Sequence, residues 1–334
     1  MDVNRRAFTF GSLLFALTAA CTGGTQGKAL PVNSWWSQYR QRFLSPEGRI
    51  VDTGNGGISH SEGQGYGMML ALHAGDRDAF DAMASWTQAT LARRDVALHS
   101  WRYDPSAANP LADPNNATDG DILIAWALGE AGKHWSNADH TARAAQIRAA
   151  IRQRCVVDRA GRKVLLPGLV GFEAPDAVTF NTSYYVWPAL DRFAAIDGAG
   201  VWGQVNADGV ALMTLSRFGG ARLPTDWVDL SGRDAVAPAR GRPPRFGFDA
   251  VRIALYAVLG NRRSLAEPIA AYWRGKLAAG QPVPAWIDVV TAEEAPYPVS
   301  SGAAAIIGRL LGTPQPTQLA TDYYAASLQM LTTL

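Results

Sequence analysis

Apolar residues recur every three to four positions along most of the chain after residue 30, a spacing typical of amphipathic α-helices. Trp35, Trp36, Tyr39, Phe43 and Leu44 mark the first such segment. The same spacing predicts further helices at 62–73, 80–91, 119–131, 139–154, 183–196, 203–217, 248–259, 264–278, 301–311 and 319–333.

Stretches rich in Gly, Pro, Asp and Asn separate these segments and predict loops at 52–60, 104–118, 167–182, 219–245 and 279–300. One small β-hairpin is predicted at 155–166, where two short apolar runs flank an Asp-Arg-Ala-Gly turn. Strands do not alternate with helices, which argues against a doubly wound sheet. We therefore predict an all-α fold, an α/α barrel of helical hairpins. A helical solenoid is the alternative, but no repeat of roughly 30–45 residues is found.

The composition fits one large globular domain. The chain has 334 residues, of which 48% are hydrophobic and 18% charged, and no linker rich in Pro, Ser or Gly divides it. The net charge of +2 is too small to indicate a nucleic-acid partner. We interpret the basic run at 240–245 as a solvated loop.

Eleven Trp residues are an unusual number for this length. Trp35, Trp36, Trp86, Trp126 and Trp202 lie on helical faces and are predicted to belong to the core, because large aromatic side chains dominate core burial. Other aromatic residues in loops can serve as flat apolar platforms, which suits the faces of sugar rings.

The N-terminal segment 1–21 is predicted to be an export signal rather than part of the fold. The Arg5-Arg6 pair resembles a twin-arginine signal, and the apolar run that follows is too short to span a bilayer. Cys21 resembles a lipoprotein acylation site; cleavage nearby by a general signal peptidase is the alternative. The mature protein, 22–334, is then periplasmic or secreted, with a lipid anchor if Cys21 is acylated, and its net charge is +1.

Cysteine and histidine patterns give no indication of a metal or cofactor. Cys155 is the other cysteine and is predicted to be a buried apolar residue. The five His residues show no zinc spacing, and neither a Gly-x-Ser-x-Gly elbow nor a phosphate-binding loop is present. No metal and no cofactor are predicted.

Glu62 stands at the start of a predicted helix, in Ser-Glu-Gly-Gln-Gly-Tyr-Gly-Met. Ser61 and Gln64 form a predicted capping box, and an acidic residue in a first turn needs no further role. However, three glycines follow within two turns, each costing up to about 1 kcal/mol relative to Ala. Close approach of another helix or of a ligand would explain Gly63, Gly65 and Gly67.

Two further predicted helix starts carry carboxylates in similar surroundings. Asp119 and Asp121 follow Thr118, a predicted helix cap, and Asp249 precedes an apolar helix in which Arg252 could pair with it. An α/α barrel gathers the starts of its inner helices at one end. Three carboxylates there suit glycoside hydrolysis, in which one carboxylic acid protonates the leaving oxygen and a carboxylate activates water or attacks the sugar. We expect Asp119 to raise the pKa of Glu62, opposing the helix dipole.

The segment from Ala117 to Trp135 resembles the signature of glycoside hydrolase family 8, the cellulase D family. The match begins with Ala-Thr-Asp-Gly-Asp and runs over nineteen residues, with the apolar positions Ile124, Ala125, Ala127, Leu128 and Ala131. The segments around Glu62 and before Asp249 are similar to the family's general-acid and general-base segments. The resemblance covers about residues 31–330. It is strongest to the single-domain periplasmic endoglucanases of bacterial cellulose synthase operons.

This resemblance implies an (α/α)6 barrel, inversion at the anomeric carbon and no metal. Carried over, Glu62 is the proton donor and Asp249 the base. Asp119 binds the sugar beside the scissile bond, and Asp121 supports the helix start. An inverting pair is expected to stand roughly 6.5–9.5 Å apart.

Further residues are predicted to bind substrate because they combine aromatic faces or hydroxyl-binding groups with loop or loop–helix positions. They are Tyr66, Trp101, Arg102, Asn181, Tyr184, Tyr185 and Arg245, with Trp227 as a further platform. His60 is either a cleft contact or a partner in a loop hydrogen bond.

Together these observations predict an exported, monomeric endo-1,4-β-glucanase that cleaves cellulose with inversion and serves cellulose biosynthesis. Chitosan, xylan or mixed-linkage β-glucan are the rival substrates. A catalytically weak glucan-binding accessory of a cellulose synthase complex is the hypothesis from a different class. The predicted partners are a β-1,4-glucan chain and such a complex, and no nucleic acid.

Overall fold

A computed structural model of the chain describes residues 32–113 and 115–334. The predicted export segment, with Cys21, lies outside these residues and stays a prediction. In the described part the chain forms eleven α-helices: α1 Val32–Phe43, α2 Ser61–Ala74, α3 Arg77–Trp86, α4 Thr118–His134, α5 Ala138–Arg154, α6 Trp187–Asp197, α7 Gly200–Leu215, α8 Val251–Leu259, α9 Glu267–Ala278, α10 Ser301–Leu311 and α11 Tyr323–Leu331.

Consecutive helices pack as hairpins around one apolar core. The largest interfaces join α2 to α4, α4 to α5, and α10 to α11, and α11 returns to α1 and α2. The first and last helices of the described residues therefore close on each other, as a barrel requires. The predicted all-α fold of helical hairpins is confirmed.

Side chains of Asp, Asn or Ser cap the starts of α3, α5, α10 and α11, whereas the starts of α2 and α4 differ from the prediction. Helix α2 begins at Ser61, so the cap is His60, whose Nδ1 accepts from the N–H of Gly63 at 3.3 Å. The predicted capping box is wrong, because Gln64 turns into the core and its Oε1 accepts from the N–H of Ile50 at 2.6 Å. The predicted Thr118 cap is also wrong, since Thr118 is already the first residue of α4.

Nine short strands accompany the helices in the described residues. The predicted hairpin is confirmed, with β3 Val156–Arg159 antiparallel to β4 Arg162–Leu165. The loop predictions at 167–182 and 219–245 are wrong in part, because they contain an antiparallel three-stranded sheet. The remaining strands are β1 Ser59–His60, β2 Arg102–Tyr103, β5 Val178–Asn181, β6 Trp227–Gly232, β7 Ala235–Pro238, β8 Arg245–Phe246 and β9 Ile287–Asp288.

The core contains most of the tryptophans predicted for it. Trp35, Trp36 and Trp202 are buried, and Trp126 packs against the core from a partly buried position. Trp86 departs from the prediction: it is half-buried and packs edge-on against Tyr103. Cys155 is buried, as predicted. None of the helices in the described residues is both long enough and apolar enough to cross a membrane.

Candidate active site

The three predicted carboxylates line one cleft, although 187 positions separate the first from the last. The cleft has a volume of about 320 Å³. Glu62 comes from the first turn of α2, Asp119 from the first turn of α4, and Asp249 from the loop before α8. Helix α8 begins at Val251, later than predicted. The helix starts therefore bring the acids together, as the barrel prediction required.

Arg252, on the first turn of α8, joins all three carboxylates. Its Nη1 donates to Glu62 Oε2 at 2.5 Å and to Asp119 Oδ2 at 3.3 Å, and its Nη2 donates to Asp249 Oδ1 at 2.9 Å. The Arg252 side chain is 1% exposed. A buried charge requires such partners, because burying an unpaired ion is costly. The sequence predicted its pairing with Asp249 but not the bridge to the other two acids.

Glu62 and Asp119 interact as a hydrogen-bonded acid pair with opposite pKa shifts. Burial and the neighbouring charge of Glu62 raise the pKa of Asp119 well above its usual value. For Glu62, burial acts to raise the pKa, but the positive charge of Arg252 and the hydrogen bonds from Asp119 and Arg252 outweigh it, so the pKa is lowered. The expectation that Asp119 raises the pKa of Glu62 is therefore wrong in the ligand-free cleft. Of the two acids, Asp119 is therefore the one that keeps a proton more readily.

Asp249 is the most accessible of the three acids, with 33% of its side chain exposed. Its Oδ1 bonds to Arg252, and its Oδ2 accepts from Asn181 Nδ2 at 2.9 Å. Asn181 is in turn oriented by the N–H and hydroxyl of Ser183, both of which donate to its Oδ1. The carboxylate is thus held from two sides while it faces the cleft.

Close packing of α2 against its neighbours explains its glycines. A Cβ atom at Gly65 would lie 2.5 Å from Leu123 Cβ of α4, and one at Gly67 would lie 2.6 Å from Met83 Sδ of α3. On α4, a Cβ at Gly120 would lie 2.7 Å from the backbone nitrogen of Glu62. The predicted close approach of another helix is confirmed, and it places Glu62 beside Asp119.

Two of the predicted substrate-binding residues, Trp101 and Tyr184, line the cleft. Tyr184 lies under Arg252, with the guanidinium carbon 6.0 Å from its ring centre. Burial and the charges of Asp119 and Asp249 raise the pKa of Tyr184 well above its usual value, which keeps its hydroxyl protonated as a donor.

Three predicted substrate-binding residues are buried and do not line the cleft. Tyr66 is fully buried and accepts from Arg252 Nη1 at 3.1 Å. Asn181 is fully buried, and its amide is used by Asp249. Tyr185 packs against Trp187 in the core. The first two side chains instead support charged groups of the site, and the third packs in the core.

The remaining predicted binding residues lie outside the lining of the cleft. Arg102 donates to Asp104 Oδ2 at 2.9 Å. The Arg245 guanidinium lies 3.5 Å from the centre of the Trp286 ring. The Trp227 ring contacts the Tyr184 ring. The guanidinium of Arg242 lies 3.9 Å from the centre of the Trp227 ring.

The cleft also contains residues that sequence analysis missed. Phe248 and Tyr324 line it, and the Tyr324 hydroxyl donates to the Phe248 carbonyl at 2.7 Å. Asp52 contacts His60 Nε2 at 3.2 Å, which assigns His60 both a loop hydrogen bond and a place in the cleft wall. Tyr324 could not be found from sequence, since it reaches the cleft from the far end of the chain.

Asp121 has the supporting role predicted for it. It is fully buried, and its carboxylate accepts from the backbone N–H and Nδ1 of His99 and from Asn116 Nδ2. These bonds fasten the segment before α4 and leave Asp119 to face the cleft. Among residues 32–113 and 115–334, no cluster of His, Cys, Asp and Glu side chains is arranged to hold a metal ion.

Comparisons with known proteins agree with this geometry. The family model for "Glycosyl hydrolases family 8" matches residues 7–334. An endoglucanase of Cellulomonas uda is 42% identical over 280 residues, covering 84% of this chain and 77% of its own length. A probable endoglucanase of Novacetimonas hansenii is 39% identical over 306 residues, covering 89% and 88%.

A solved structure has the same architecture. It is a family 8 endo-β-1,4-glucanase from an Achatina fulica gut metagenomic library, 41% identical, with a TM-score of 0.85 over 89% of this chain and 95% of that one. The fold is therefore the (α/α)6 barrel that the sequence predicted. On the family model, the relatives and the shared architecture together, this chain is a glycoside hydrolase and belongs to family 8.

Proposed function

We propose that the protein is an endo-1,4-β-glucanase that hydrolyses internal β-1,4-glucosidic bonds of cellulose. The observation that carries the proposal is the cleft in which Arg252 joins three carboxylates. Membership of family 8 and the endoglucanase names of relatives at 39–42% identity support the substrate.

In the proposed reaction Glu62 protonates the leaving glycosidic oxygen and Asp249 takes a proton from the attacking water. One guanidinium bridges the two side chains, which limits the distance between their bonded oxygens to at most about 8 Å, a bound that is compatible with an inverting pair. Asp249 suits the base role, because its carboxylate is held on two sides and is partly exposed to the cleft. The products leave with inversion at the anomeric carbon.

Asp119 supplies the proton that Glu62 lacks in the ligand-free cleft. Its raised pKa makes it the protonated member of the pair, but its side chain is 2% exposed, whereas that of Glu62 is 18% exposed. The proton therefore passes along the hydrogen bond from Asp119 to Glu62 as Glu62 donates to the leaving group. Asp119 forms no bond to the sugar carbon in this reaction. It orients the sugar beside the scissile bond.

Trp101 and Tyr184 are the proposed sugar contacts, because their side chains line the cleft. Trp227 continues this wall beyond Tyr184. Trp101 offers an apolar face, and Tyr184 offers a ring and a protonated hydroxyl.

The cellular role that we propose is in bacterial cellulose biosynthesis, after export to the periplasm or the medium. An exported monomer that trims the glucan chain beside a synthase complex is consistent with the predicted signal at 1–21. Chitosan, xylan and mixed-linkage β-glucan remain the alternative substrates. A non-hydrolytic glucan-binding accessory is disfavoured, because a binder needs neither Glu62 nor Asp249.

Release of reducing sugar from carboxymethylcellulose tests the activity. Wild type should release it, and Glu62→Gln should lose activity by at least about 10²-fold, the lower range for general acid catalysis. A wild type that binds cellooligosaccharides but releases no sugar would refute the enzyme. A wild type that cuts chitosan and not the cellulose derivative would refute the substrate.

A further inference from the structure

Asp226 is a half-buried carboxylate directly before β6, in a stretch predicted to be a loop, and it has no part in the reaction described above. Its Oδ1 accepts from the N–H of Gly247 at 3.1 Å and from the N–H of Ala250 at 2.8 Å. Its own N–H donates to the carbonyl of Arg245 at 2.8 Å. Three hydrogen bonds thus fasten both ends of the segment 245–250.

This segment carries Asp249 and has little regular structure of its own. Strand β8, at its start, is two residues long, and α8 begins only at Val251. The bonds from Arg252 and Asn181 orient the carboxylate of Asp249, but they act on the side chain. The backbone on either side of Asp249 is held by Asp226.

We propose that Asp226 is a positioning residue, which holds the backbone at Gly247 and Ala250 so that the Asp249 carboxylate faces the cleft at the place of the attacking water. The inference rests on the proposed function, in which Asp249 is the general base. A displacement of about 1 Å at a reacting group can cost about 10²-fold in rate, so a fixed backbone matters there.

The hydrogen bonds that Asp226 accepts do not require its carboxyl group to be ionised. The charged groups that face it are Asp249 and Arg252. Burial and the neighbouring Asp249 raise the pKa of Asp226 to about 7, against the opposing effects of the two backbone N–H groups and Arg252. Below pH 7 the group is therefore mostly neutral and still accepts both bonds. An amide at this position can do the same, because its oxygen offers the same acceptor.

The test compares steady-state kinetics on a soluble cellooligosaccharide for the wild type, Asp226→Ala and Asp226→Asn. Asp226→Ala should lower kcat by about 10²-fold and leave KM within about twofold, because the base is displaced while the sugar contacts stay. Asp226→Asn should recover most of the lost kcat. Equal losses in both variants would indicate that the acid itself takes part in chemistry, and an unchanged kcat in Asp226→Ala would also overturn the proposal.

Asp229→Ala is the matched control, because Asp229 lies three residues further along the chain, within β6. Its carboxylate also accepts a backbone N–H, that of Arg240 at 3.1 Å, and its side chain is buried. This variant should lose stability much as Asp226→Ala does but keep kcat within about twofold of the wild type. If Asp229→Ala loses kcat as strongly, general weakening of the sheet explains the effect and the proposal fails.

Hydrogen exchange separates this inference from the proposed function. The amides of Gly247 and Ala250 should exchange faster in Asp226→Ala than in the wild type and in Asp229→Ala. If the wild type hydrolyses no glucan but this difference is observed, the proposed function fails and the fastening by Asp226 stands. If the wild type is active and the two amides exchange alike in all three proteins, the positioning role is refuted.

Discussion

Arg252 carries the charge balance of the whole site, since its single guanidinium contacts Glu62, Asp119 and Asp249. In return these acids compensate a positive charge that is almost fully buried. Removing one partner of such a group leaves the others unbalanced, which is more damaging than the loss of a surface ion pair. The arrangement therefore links stability and activity through one residue.

Arg252→Met should abolish hydrolysis and lower the free energy of unfolding by about 3 kcal/mol or more at pH 7. The decrease in the free energy of unfolding should be smaller at pH 4 than at pH 7, because protonated carboxyl groups no longer repel one another. Chemical denaturation at both pH values measures it. Arg148→Met is the control: Arg148 is also buried and pairs with Asp197, so stability should fall while kcat is kept. A loss for Arg252→Met that does not depend on pH would contradict the charge balance.

Asp119→Asn should lower kcat by about 10²-fold or more and move the alkaline limb of the pH profile to lower pH. Without Asp119, the donor is Glu62 alone, whose pKa Arg252 holds low, so the protonated form disappears at lower pH. Asp121→Asn, two positions away, should keep the wild-type profile even if stability falls. An alkaline limb that stays in place in Asp119→Asn would refute the shared proton.

At the residue scale, sequence could predict the acids better than their surroundings. Glu62, Asp119 and Asp249 were found because each lies near a helix start, where the barrel brings chain segments together. Tyr66 and Asn181 were misplaced because sequence does not give the direction of a side chain that faces another part of the chain. The partners Glu62 and Arg252 are 190 positions apart, which no local spacing reveals.

Helices α2 and α4 set the distance between Glu62 and Asp119 through their small residues. The first turn of α4 lies against the first turn of α2, and Gly120 leaves room for the Glu62 backbone. Along the same helix, Gly129 has ordinary spacing, with Ala144 Cβ 3.7 Å from where its own Cβ would be. A comparison of substitutions at Gly120 and Gly129 therefore distinguishes the need for space between two helices from the general cost of a glycine in a helix.

Gly120→Ala should push the two helix starts apart, lower stability by about 1 to 3 kcal/mol and reduce kcat. Gly129→Ala should leave kcat unchanged and be neutral or stabilising by up to about 1 kcal/mol. Thermal unfolding and the rate on carboxymethylcellulose measure both effects. Equal behaviour of the two variants would show that the helix starts tolerate a wider separation.

At the element scale, periodicity was sufficient for the helices but not for the sheet. The helices were predicted because their apolar faces repeat locally. Strands β5 and β6 are short and pair across about fifty positions, so neither a hairpin turn nor a long alternating run marks them. This sheet supplies Asn181 at the end of β5 and Asp226 just before β6. Because the sequence does not predict the sheet, it does not predict that these two residues support Asp249.

The molecule as a whole is an (α/α)6 barrel with a charged cleft and a predicted export segment. The barrel explains how acids from three distant parts of the chain meet. We expect the predicted export segment to direct the enzyme to its glucan outside the cytoplasm.

Mass spectrometry of the protein recovered from its native host tests that processing. We expect the mature chain to begin near residue 21, and at Cys21 with an added lipid mass if the lipoprotein prediction is right. Cleavage after the apolar run removes the signal from the mature chain, as is expected of a periplasmic or secreted enzyme. A recovered chain that still begins at Met1 would contradict export by cleavage.

The central claim is that Glu62 and Asp249 hydrolyse a β-1,4-glucan from opposite sides of the bond. Proton NMR of the product, recorded immediately after a cellooligosaccharide is added, tests it most directly. The new reducing end should appear first as the α-anomer. The variants Glu62→Gln and Asp249→Asn should give almost no product. Initial appearance of the β-anomer, or full activity in either variant, would contradict it.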